Sequence, residues 1–293
     1  MERGAIPIEE LPGGLDLQST LESGQTYHWR RRDGAMYEST GSYGGDAWYY
    51  TVVDGEVIHA RQHDGRLEWT ATTDAVPYLE DLLRLKDDLD AIIKATPSDS
   101  LIERAYRTYR GMRIVKDPFF PCLISFICSA QMRVERIFEM QTALRQEYGR
   151  ETSADGTTYN DFPTPERLAE ATESELRDLG LGYRAPYVRK TADLVAEGAQ
   201  SPDTLPTDYE QARDAMQVYV GVGEKVADCV LLFSQGYLEA IPLDTWIRTA
   251  IEEYYPHCDH GSYKETSRAL RAEFGPYSGY TQTYVFHYLR HHH

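Results

Sequence analysis

The segment MQVYVGVGEKVADC, at residues 216–229, carries the most chemical information in the chain. Its pattern predicts a helix that ends near Val218 and a second helix that begins near Glu224. A tight turn over Gly221 and Gly223 joins them, because glycine allows positive φ angles and close backbone approach. The start of the second helix offers unpaired N–H groups, so the segment forms a site suited to a phosphate.

An acidic residue follows this turn in the sequence IPLDTW. Asp244 comes 20 residues after Glu224 and stands where its side chain would cap the start of a further helix. Within the helix that follows the turn, Cys229 lies four residues after Lys225, so the two side chains share one helix face. A GVG sequence alone is weak evidence of function, whereas GVGEKVADC followed by IPLDTW is a specific combination.

Two kinds of secondary structure must position these residues. The N-terminal part, residues 1–75, consists of short segments rich in β-branched and aromatic residues, with the turn signals DGA, YGGD, VDGE and HDGR between them. This pattern predicts antiparallel hairpins. The segments that we predict as strands are LDLQSTL, QTYHWRRR, MYESTGSY, AWYYTVV, EVIHARQ and RLEWTATT.

From about Pro77 onward the apolar residues recur every three or four positions, as in PYLEDLLRLKDDLDAIIKA, which predicts helices to the C-terminus. We expect the polar stretch at residues 152–165 to be a loop between two helices. The predicted fold class is α+β, with an antiparallel β-sheet domain at residues 1–95 and an all-helical region at residues 96–293.

The composition is that of a globular protein, but the charge balance is unusual. Of the 293 residues, 47 are acidic and 30 are Lys or Arg, which gives a net charge of −17. Binding to a polyanion depends on Lys and Arg, so this balance by itself argues against nucleic acid. At molar salt, however, the Debye length is only about 3 Å, and an acidic surface keeps a protein soluble. We hypothesise a halophilic source with a salt-rich cytoplasm. The net charge is then a poor guide to the ligand, because it does not exclude a local basic or backbone-amide site for nucleic acid.

The sequence has no apolar run of the roughly 18–20 residues that a membrane span needs, and its N-terminus lacks the pattern of a signal peptide. The cysteines are scattered without a CxxC pair, which excludes an ordinary metal knuckle and argues against a disulfide framework. We therefore expect a cytoplasmic protein in a reducing compartment. The cysteines are Cys122, Cys128, Cys229 and Cys258.

Further segments extend the pattern of GVGEKVADC and IPLD over nearly the whole chain. They are SGQTYHW at residues 23–29, DPFFPCLISFICSAQ at 117–131, LGLGYRAPYV at 179–188 and SGYTQTYVF at 278–286. With these segments the chain resembles the 8-oxoguanine DNA glycosylases of the helix-hairpin-helix superfamily, in the type with an additional N-terminal β-domain, which is TBP-like. The resemblance implies that the helical region forms two subdomains on either side of an active-site cleft.

The resemblance implies a bifunctional DNA repair enzyme, associated with the nucleoid, that swings the damaged base out of duplex DNA. Lys225 would attack the sugar C1′, displace the base and form a Schiff base, and β-elimination would then nick the strand. Asp244 would stabilise the cationic sugar and help to deprotonate the amine. The expected partner is duplex DNA with 8-oxoguanine opposite cytosine, with ring-opened purines as a further substrate class. The protein would act as a monomer.

The resemblance also assigns the residues of a base pocket. The backbone carbonyl of Gly24 would accept a hydrogen bond from N7–H, the proton that 8-oxoguanine has and guanine lacks. A single buried acceptor of this kind gives large discrimination. Gln282 would read the Watson–Crick edge of the base, and Phe286 and Cys229 would hold the base between them.

Contacts to the rest of the DNA are implied in the same way. Tyr183 would wedge into the duplex, Arg136 and Arg184 would contact the estranged cytosine, and Gln131 would bond in the vacated space. The hairpin glycines Gly221 and Gly223 would bind phosphate. No cofactor is required and no iron–sulfur cluster is expected, but backbone carbonyls of the hairpin would hold a monovalent cation that bridges to phosphate. Those carbonyls belong to Gln217, Tyr219 and Val222.

The chain departs from the family pattern at three places. Gln131-Met132-Arg133 replaces an Asn-rich triplet, which leaves the preference for the opposite base open. Trp246 stands where a histidine is common, and the hairpin reads YVGVG instead of LPGVG.

Three other functions stay open on the sequence alone. A monofunctional alkylated-base glycosylase shares the fold and the aspartate but lacks the hairpin lysine, so Lys225 argues against it. A non-catalytic helix-hairpin-helix DNA-binding protein gives no reason for Asp244 and the pocket residues to occur together. A small-molecule enzyme that uses the β-domain is a third alternative. The sequence offers no Gly-rich nucleotide-binding loop after a strand, no metal-ligand spacing and no Ser/His/Asp set that would favour it.

Overall fold

The computed structural model describes residues 1–38 and 46–292. It contains a five-stranded antiparallel sheet followed by a helical region, which confirms the predicted fold class. The strands are β1 (Glu2–Pro7), β2 (Arg30–Arg31), β3 (Tyr49–Val53), β4 (Glu56–His63) and β5 (Arg66–Ala71). Their order in the sheet is β1-β5-β4-β3-β2.

Two of the predicted Asp-Gly turns form the hairpins of this sheet. Asp54 and Gly55 have φ angles of +54° and +82° between β3 and β4, and Asp64 and Gly65 have +46° and +71° between β4 and β5. Two consecutive positive φ angles suit the right-handed twist of the flanking strands. The predicted strand MYESTGSY and the YGGD turn fall largely on residues 39–45, outside the described residues.

The prediction for LDLQSTL was wrong, because this segment is a helix. Asp16 accepts a hydrogen bond from the Ser19 N–H at 2.9 Å and so caps the helix start. Leu17 and Leu21, one turn apart, are both fully buried. The alternation of apolar residues that indicated a strand is therefore also one apolar helix face.

The helices begin within the sheet domain and continue to the C-terminus. The predicted run from Pro77 forms two helices, Val76–Leu82 and Leu89–Ala95, and Arg84 between them has a φ of +47°, which a helix does not allow. The helices are α1 (Leu17–Glu22), α2 (Val76–Leu82), α3 (Leu89–Ala95), α4 (Ser100–Thr108), α5 (Phe119–Cys128), α6 (Val134–Tyr148), α7 (Pro165–Ala169), α8 (Glu173–Asp178), α9 (Ala185–Ala196), α10 (Tyr209–Met216), α11 (Glu224–Val230), α12 (Thr245–Tyr254), α13 (Tyr263–Phe274) and α14 (Ser278–His292).

The stretch predicted as a polar loop at residues 152–165 contains a hairpin of β6 (Glu151–Ala154) and β7 (Thr157–Asn160). Its turn is again Asp-Gly, with φ angles of +49° at Asp155 and +73° at Gly156. Tyr159 of this hairpin packs edge-on against Tyr50, with ring centres 5.2 Å apart, and against His59 of the sheet. The prediction failed because the strands are short and polar, although the turn signal was present.

One hydrophobic core joins the sheet to the helices. Trp29, Tyr49, Ile58 and Leu67 from the sheet region belong to the same buried cluster as the apolar residues of the helices. In the described parts, 1–38 and 46–292, no helix has both the length and the apolar character that crossing a lipid bilayer requires.

Candidate active site

The predicted hairpin lies between α10 and α11. α10 ends at Met216, close to the predicted Val218, and α11 begins at Glu224 as predicted. Gly221 has a φ of +85°, and a Cβ there would lie 3.0 Å from a tyrosine ring, so this position requires glycine. Gly223 precedes α11 in an extended conformation. Both glycines are exposed, which leaves the backbone of the turn accessible.

Lys225 lies in the first turn of α11 and is half-buried. Its Nζ donates a hydrogen bond to Ser129 Oγ at 2.9 Å and lies 5.6 Å from the centre of the Phe126 ring. Both partners come from α5 or its C-terminal cap. The amine is therefore held against the end of α5 by one hydrogen bond and one aromatic ring.

Asp244 is the N-cap of α12, as the sequence predicts. Its Oδ1 accepts a hydrogen bond from the Ile247 N–H at 2.9 Å. Burial raises the pKa of the Asp244 carboxyl, while the backbone N–H of Ile247 and the positive charge of Lys225 act in the opposite direction. Asp244 and Lys225 thus interact electrostatically within one site.

A cavity of about 890 Å³ brings most of the predicted site residues together. Both polar groups and apolar side chains line this cavity, which is the usual composition of a pocket for a small organic ligand. The predicted residues that line it are Gly24, Gln131, Gly221, Gly223, Lys225, Cys229, Asp244, Gln282 and Phe286.

One wall of the cavity is formed by the segment after α1 and by α14. Gly24 has a φ of +94°, and a Cβ there would lie 3.1 Å from Val134 and 3.7 Å from the Phe286 ring. The next residue, Gln25, fixes this segment through its side chain, which accepts from the Val115 N–H at 2.9 Å and donates to two backbone carbonyls. Gln282 is 3% exposed. Gly24 thus packs against α14, and the Gln25 side chain anchors the backbone beside it.

Cys229 lies on the same side of α11 as Lys225, as the i,i+4 spacing predicts. It is buried, and burial raises the pKa of its thiol to about 12. The thiol is therefore neutral near pH 7 and acts here as a small apolar surface.

Three predicted DNA-contacting residues do not line the cavity. Arg136 is exposed and forms an ion pair with Glu139 at 2.6 Å. Tyr183 is 55% exposed. Arg184 is buried beneath the Tyr183 ring and donates a hydrogen bond to the Ala130 carbonyl. Arg136 and Arg184 therefore have protein partners in this structure, and Tyr183 is the large apolar surface among the three.

Gln131 lies at the cavity in the loop between α5 and α6. It is exposed and has a φ of +54°, a conformation that non-glycine residues adopt rarely. The loop therefore presents this amide side chain at the surface of the cavity.

The predicted cation ligands lie on the hairpin backbone. The Tyr219 carbonyl accepts a hydrogen bond from the Val222 N–H at 3.2 Å. Within residues 1–38 and 46–292, we find no hydrogen bond to the carbonyl oxygens of Gln217 and Val222. Carbonyl oxygens without a donor suit a hard cation.

The sequence reasoning missed a buried network that connects the helix of Lys225 to the segment of Asp244. Asp228, fully buried on α11, accepts hydrogen bonds from Tyr209 Oη at 2.6 Å and Tyr263 Oη at 2.8 Å. Tyr263 Oη in turn accepts from the Leu243 N–H at 3.0 Å, one residue before Asp244. An acidic residue between apolar neighbours within KVADCV was the available sequence signal.

The sequence reasoning also missed Arg290 as a residue of the cavity. It lies one helical turn beyond Phe286 on α14, and its guanidinium carbon is 5.8 Å from the centre of the Phe286 ring. The spacing of four residues from Phe286 was the signal that could have identified it.

Among the described residues, one group of side chains could hold a metal ion outside the cavity. The possible ligand atoms of His257, Cys258 and Glu273 lie within 4.8 Å of one another. His257 Nε2 lies within hydrogen-bonding distance of Glu273 Oε2, at 3.2 Å, which accounts for their proximity. The four cysteines are buried free thiols.

Comparison with known sequence families divides the chain into two matched parts. Residues 124–276 match the family described as HhH-GPD superfamily base excision DNA repair protein. Residues 6–123 match the N-terminal domain of 8-oxoguanine DNA glycosylase. These matches meet between residues 123 and 124, within α5.

Individual relatives are similar over most of the chain. A probable N-glycosylase/DNA lyase of Methanothermobacter thermautotrophicus is 30% identical, covering 97% of this chain and 95% of the relative. An N-glycosylase/DNA lyase of Saccharomyces cerevisiae is 32% identical, covering 86% of this chain and 71% of the relative. A solved structure of Clostridium acetobutylicum 8-oxoguanine glycosylase/lyase, in complex with double-stranded DNA containing cytosine opposite 8-oxoG, has a TM-score of 0.81 and 26% identity. The superposition with this structure covers 94% of our chain and 92% of the glycosylase chain.

Proposed function

The chain belongs to the HhH-GPD superfamily of base excision DNA repair proteins, and from this premise we propose that it excises 8-oxoguanine from duplex DNA and then cleaves the abasic strand. The observation that carries the proposal is the position of Lys225 and Asp244 in the wall of one cavity. The cavity also contains the residues that would recognise a base. The match to the N-terminal domain of the 8-oxoguanine glycosylases supports this choice of substrate.

In the proposed reaction, Lys225 Nζ uses its lone pair to attack the sugar C1′. The bond from C1′ to the base nitrogen breaks, and the base leaves with that electron pair and takes up a proton. The sugar ring then opens, so that Lys225 and C1′ are joined as a Schiff base. Loss of a proton from C2′ expels the 3′ phosphate, which nicks the strand, and water hydrolyses the Schiff base to free the enzyme.

Asp244 supports two steps of this sequence. Its carboxylate, held by the Ile247 N–H, stabilises the positive charge that develops on the sugar as the base departs. We also assign to Asp244 the proton that the amine must lose, because its carboxylate shares the cavity with Lys225. Ser129 Oγ, at 2.9 Å from Lys225 Nζ, orients the amine before the attack.

The opposite wall of the cavity recognises the base. We assign the Gly24 carbonyl to the N7–H of 8-oxoguanine and the Gln282 side chain to the Watson–Crick edge. Phe286 of this wall holds one face of the base, and Cys229, on α11 with Lys225, holds the other face, which the neutral thiol of Cys229 allows. Guanine lacks the N7 proton, so it would leave the Gly24 carbonyl unpaired in a buried site.

The remaining contacts hold the flipped DNA. The exposed amides of Gly221 and Gly223 bind a backbone phosphate at the start of α11. Tyr183 fills the space that the base leaves, where Gln131 would also bond. Arg136 and Arg184 contact the estranged cytosine. To do so, Arg136 gives up its ion pair with Glu139, and Arg184 gives up its hydrogen bond to the Ala130 carbonyl. The carbonyls of Gln217, Tyr219 and Val222 hold a monovalent cation beside the phosphate.

The test is borohydride trapping on a duplex that contains one 8-oxoguanine opposite cytosine, in high-salt buffer, with Lys225→Gln beside the wild-type protein. We expect a covalent protein–DNA adduct with the wild type and none with the variant. Base release without an adduct would show a monofunctional glycosylase instead. Binding without base release or adduct would leave only a DNA-binding protein.

A further inference from the structure

Arg290 connects the two chain segments that form the base-recognition wall. It lies near the end of α14, the helix of Gln282 and Phe286, and its two terminal nitrogens bond the end of α1. Nη1 donates to the Ser23 carbonyl at 3.0 Å, and Nη2 donates to the Glu22 carbonyl at 3.0 Å. These are the last residue and the C-cap of α1, immediately before Gly24.

The end of α1 needs such donors. The last carbonyls of a helix have no partner within the helix, and a positive charge there interacts favourably with the helix dipole. A guanidinium presents two donors in a rigid fork, so it can bind two neighbouring carbonyls at once. Arg290 therefore fixes the orientation of the peptide groups that lead directly into Gly24.

Packing around Gly24 leaves the guanidinium little freedom. A Cβ at Gly24 would lie 3.1 Å from Arg290 Nη1, so the guanidinium lies directly against the backbone of that residue. The guanidinium also lies over the edge of the cavity near Phe286. The same side chain thus contacts the backbone that leads into Gly24 and the Phe286 ring of α14.

We propose that Arg290 is a positioning residue for base discrimination, because it sets the Gly24 carbonyl in register with Gln282 and Phe286. This inference rests on the proposed function, in which Gly24 accepts the N7–H hydrogen bond. It predicts a selective defect. Excision of the base needs the recognition wall, whereas cleavage of a preformed abasic site needs only Lys225 and Asp244.

The experiment compares Arg290→Met and Arg290→Lys with the wild-type protein. Two single-turnover rates are measured: excision of 8-oxoguanine opposite cytosine, and strand cleavage at a preformed abasic site. Arg61→Met is the matched control, because Arg61 is also a half-buried arginine beside an aromatic ring, bonded to Glu68 at 2.8 Å on the sheet. Thermal melting of each variant shows how much it is destabilised.

For Arg290→Met we expect excision to slow by about 10-fold to 100-fold, as small misplacements at a reacting site do, while abasic-site cleavage keeps its wild-type rate. Arg290→Lys, which keeps the charge and one donor direction, should recover part of the excision rate. Arg61→Met should leave the ratio of the two rates unchanged.

Equal slowing of both reactions in the Arg290 variants would mean that the residue only stabilises the fold, and unchanged excision would mean that it positions nothing. Either result overturns the inference while the wild-type protein still excises 8-oxoguanine. A wild-type protein that releases no 8-oxoguanine overturns the proposed function, and the inference with it.

Discussion

The two walls of the cavity are built in different ways. The backbone of the wall that carries Lys225 and Asp244, which we call the chemical wall, is set by local motifs: a glycine turn that starts α11 and an aspartate that caps α12. The recognition wall joins the two ends of the chain, and the hydrogen bond from Arg290 to Ser23 links residues 267 positions apart. Short segments therefore determine the backbone at Lys225 and Asp244, whereas the recognition residues come together only when segments distant in the sequence pack.

The largest effect should come from Asp244→Asn on the chemical wall. Asparagine is as good an N-cap as aspartate, so α12 should keep its start. The variant loses the negative charge and the proton acceptor, and we expect excision and abasic-site cleavage both to fall by about 10²-fold to 10⁴-fold. Single-turnover rates on the two substrates measure this.

Asp208→Asn is the matched control, because Asp208 caps α10 through the Gln211 N–H at 2.9 Å and does not line the cavity. It should keep both rates. If Asp244→Asn kept them as well, Asp244 would be a cap alone and the chemical wall would contain only Lys225.

The next effect should come from Gln282→Leu on the recognition wall. Leucine fills a similar volume but cannot read the polar edge of the base. Loss of hydrogen bonds to a buried ligand costs about 1–3 kcal/mol, so excision should slow by about 10-fold to 100-fold while abasic-site cleavage is retained. Gln211→Leu, an exposed change on α10, is the control. Parallel loss of both activities would contradict the separation of the two walls.

This difference between the walls also explains what the sequence could predict. The start of α11 at Glu224, the cap at Asp244 and the Asp-Gly hairpins of the sheet each depend on a few neighbouring residues. Arg290 could not be assigned to the carbonyls of Glu22 and Ser23, because that contact exists only after both ends of the chain have packed. The error at LDLQSTL has a similar origin. Leu17 and Leu21 fit both the two-residue repeat of a strand and the 3.6-residue repeat of a helix, and tertiary packing decides which of the two forms.

A smaller effect, on both reactions at once, should follow Tyr263→Phe. The change removes the acceptor of the Leu243 N–H and one donor to Asp228, which connect α11 to the segment of Asp244. We expect a loss of about 1–3 kcal/mol in the free energy of unfolding and a fall of roughly tenfold in excision and abasic-site cleavage.

Chemical denaturation and single-turnover rates test this, with Tyr254→Phe, an exposed tyrosine of α12, as control. An equal fall in both rates would place the network on the chemical wall. A fall in excision alone would show that the network supports the recognition residues, which would contradict its assignment to the chemical wall.

The smallest effect that we expect is a pH dependence of stability, which arises from the buried residue Asp117 near the recognition wall. Asp117 is buried beside Thr26, two residues after Gly24, and its Oδ1 has no hydrogen-bond partner among the described residues. Burial raises the pKa of Asp117 from 3.8 to about 7, against the hydrogen bond from Thr26 and the charge of Arg145. The folded protein therefore binds this proton more tightly than the unfolded chain does.

The stability that this proton provides is complete below about pH 4 and is lost as the pH rises through about 7. Asp117→Asn resembles the neutral carboxyl at every pH, so it should lack this dependence. Between pH 6 and pH 8 the wild-type protein should lose about 1 kcal/mol relative to the variant, measured as free energies of unfolding in denaturant. Asp81→Asn, at a surface carboxylate paired with Lys116, should follow the wild-type curve. Parallel curves for wild type and Asp117→Asn would mean that Asp117 stays ionised over this pH range. The stability of the recognition wall would then not depend on pH through Asp117, and this difference from the chemical wall would be lost.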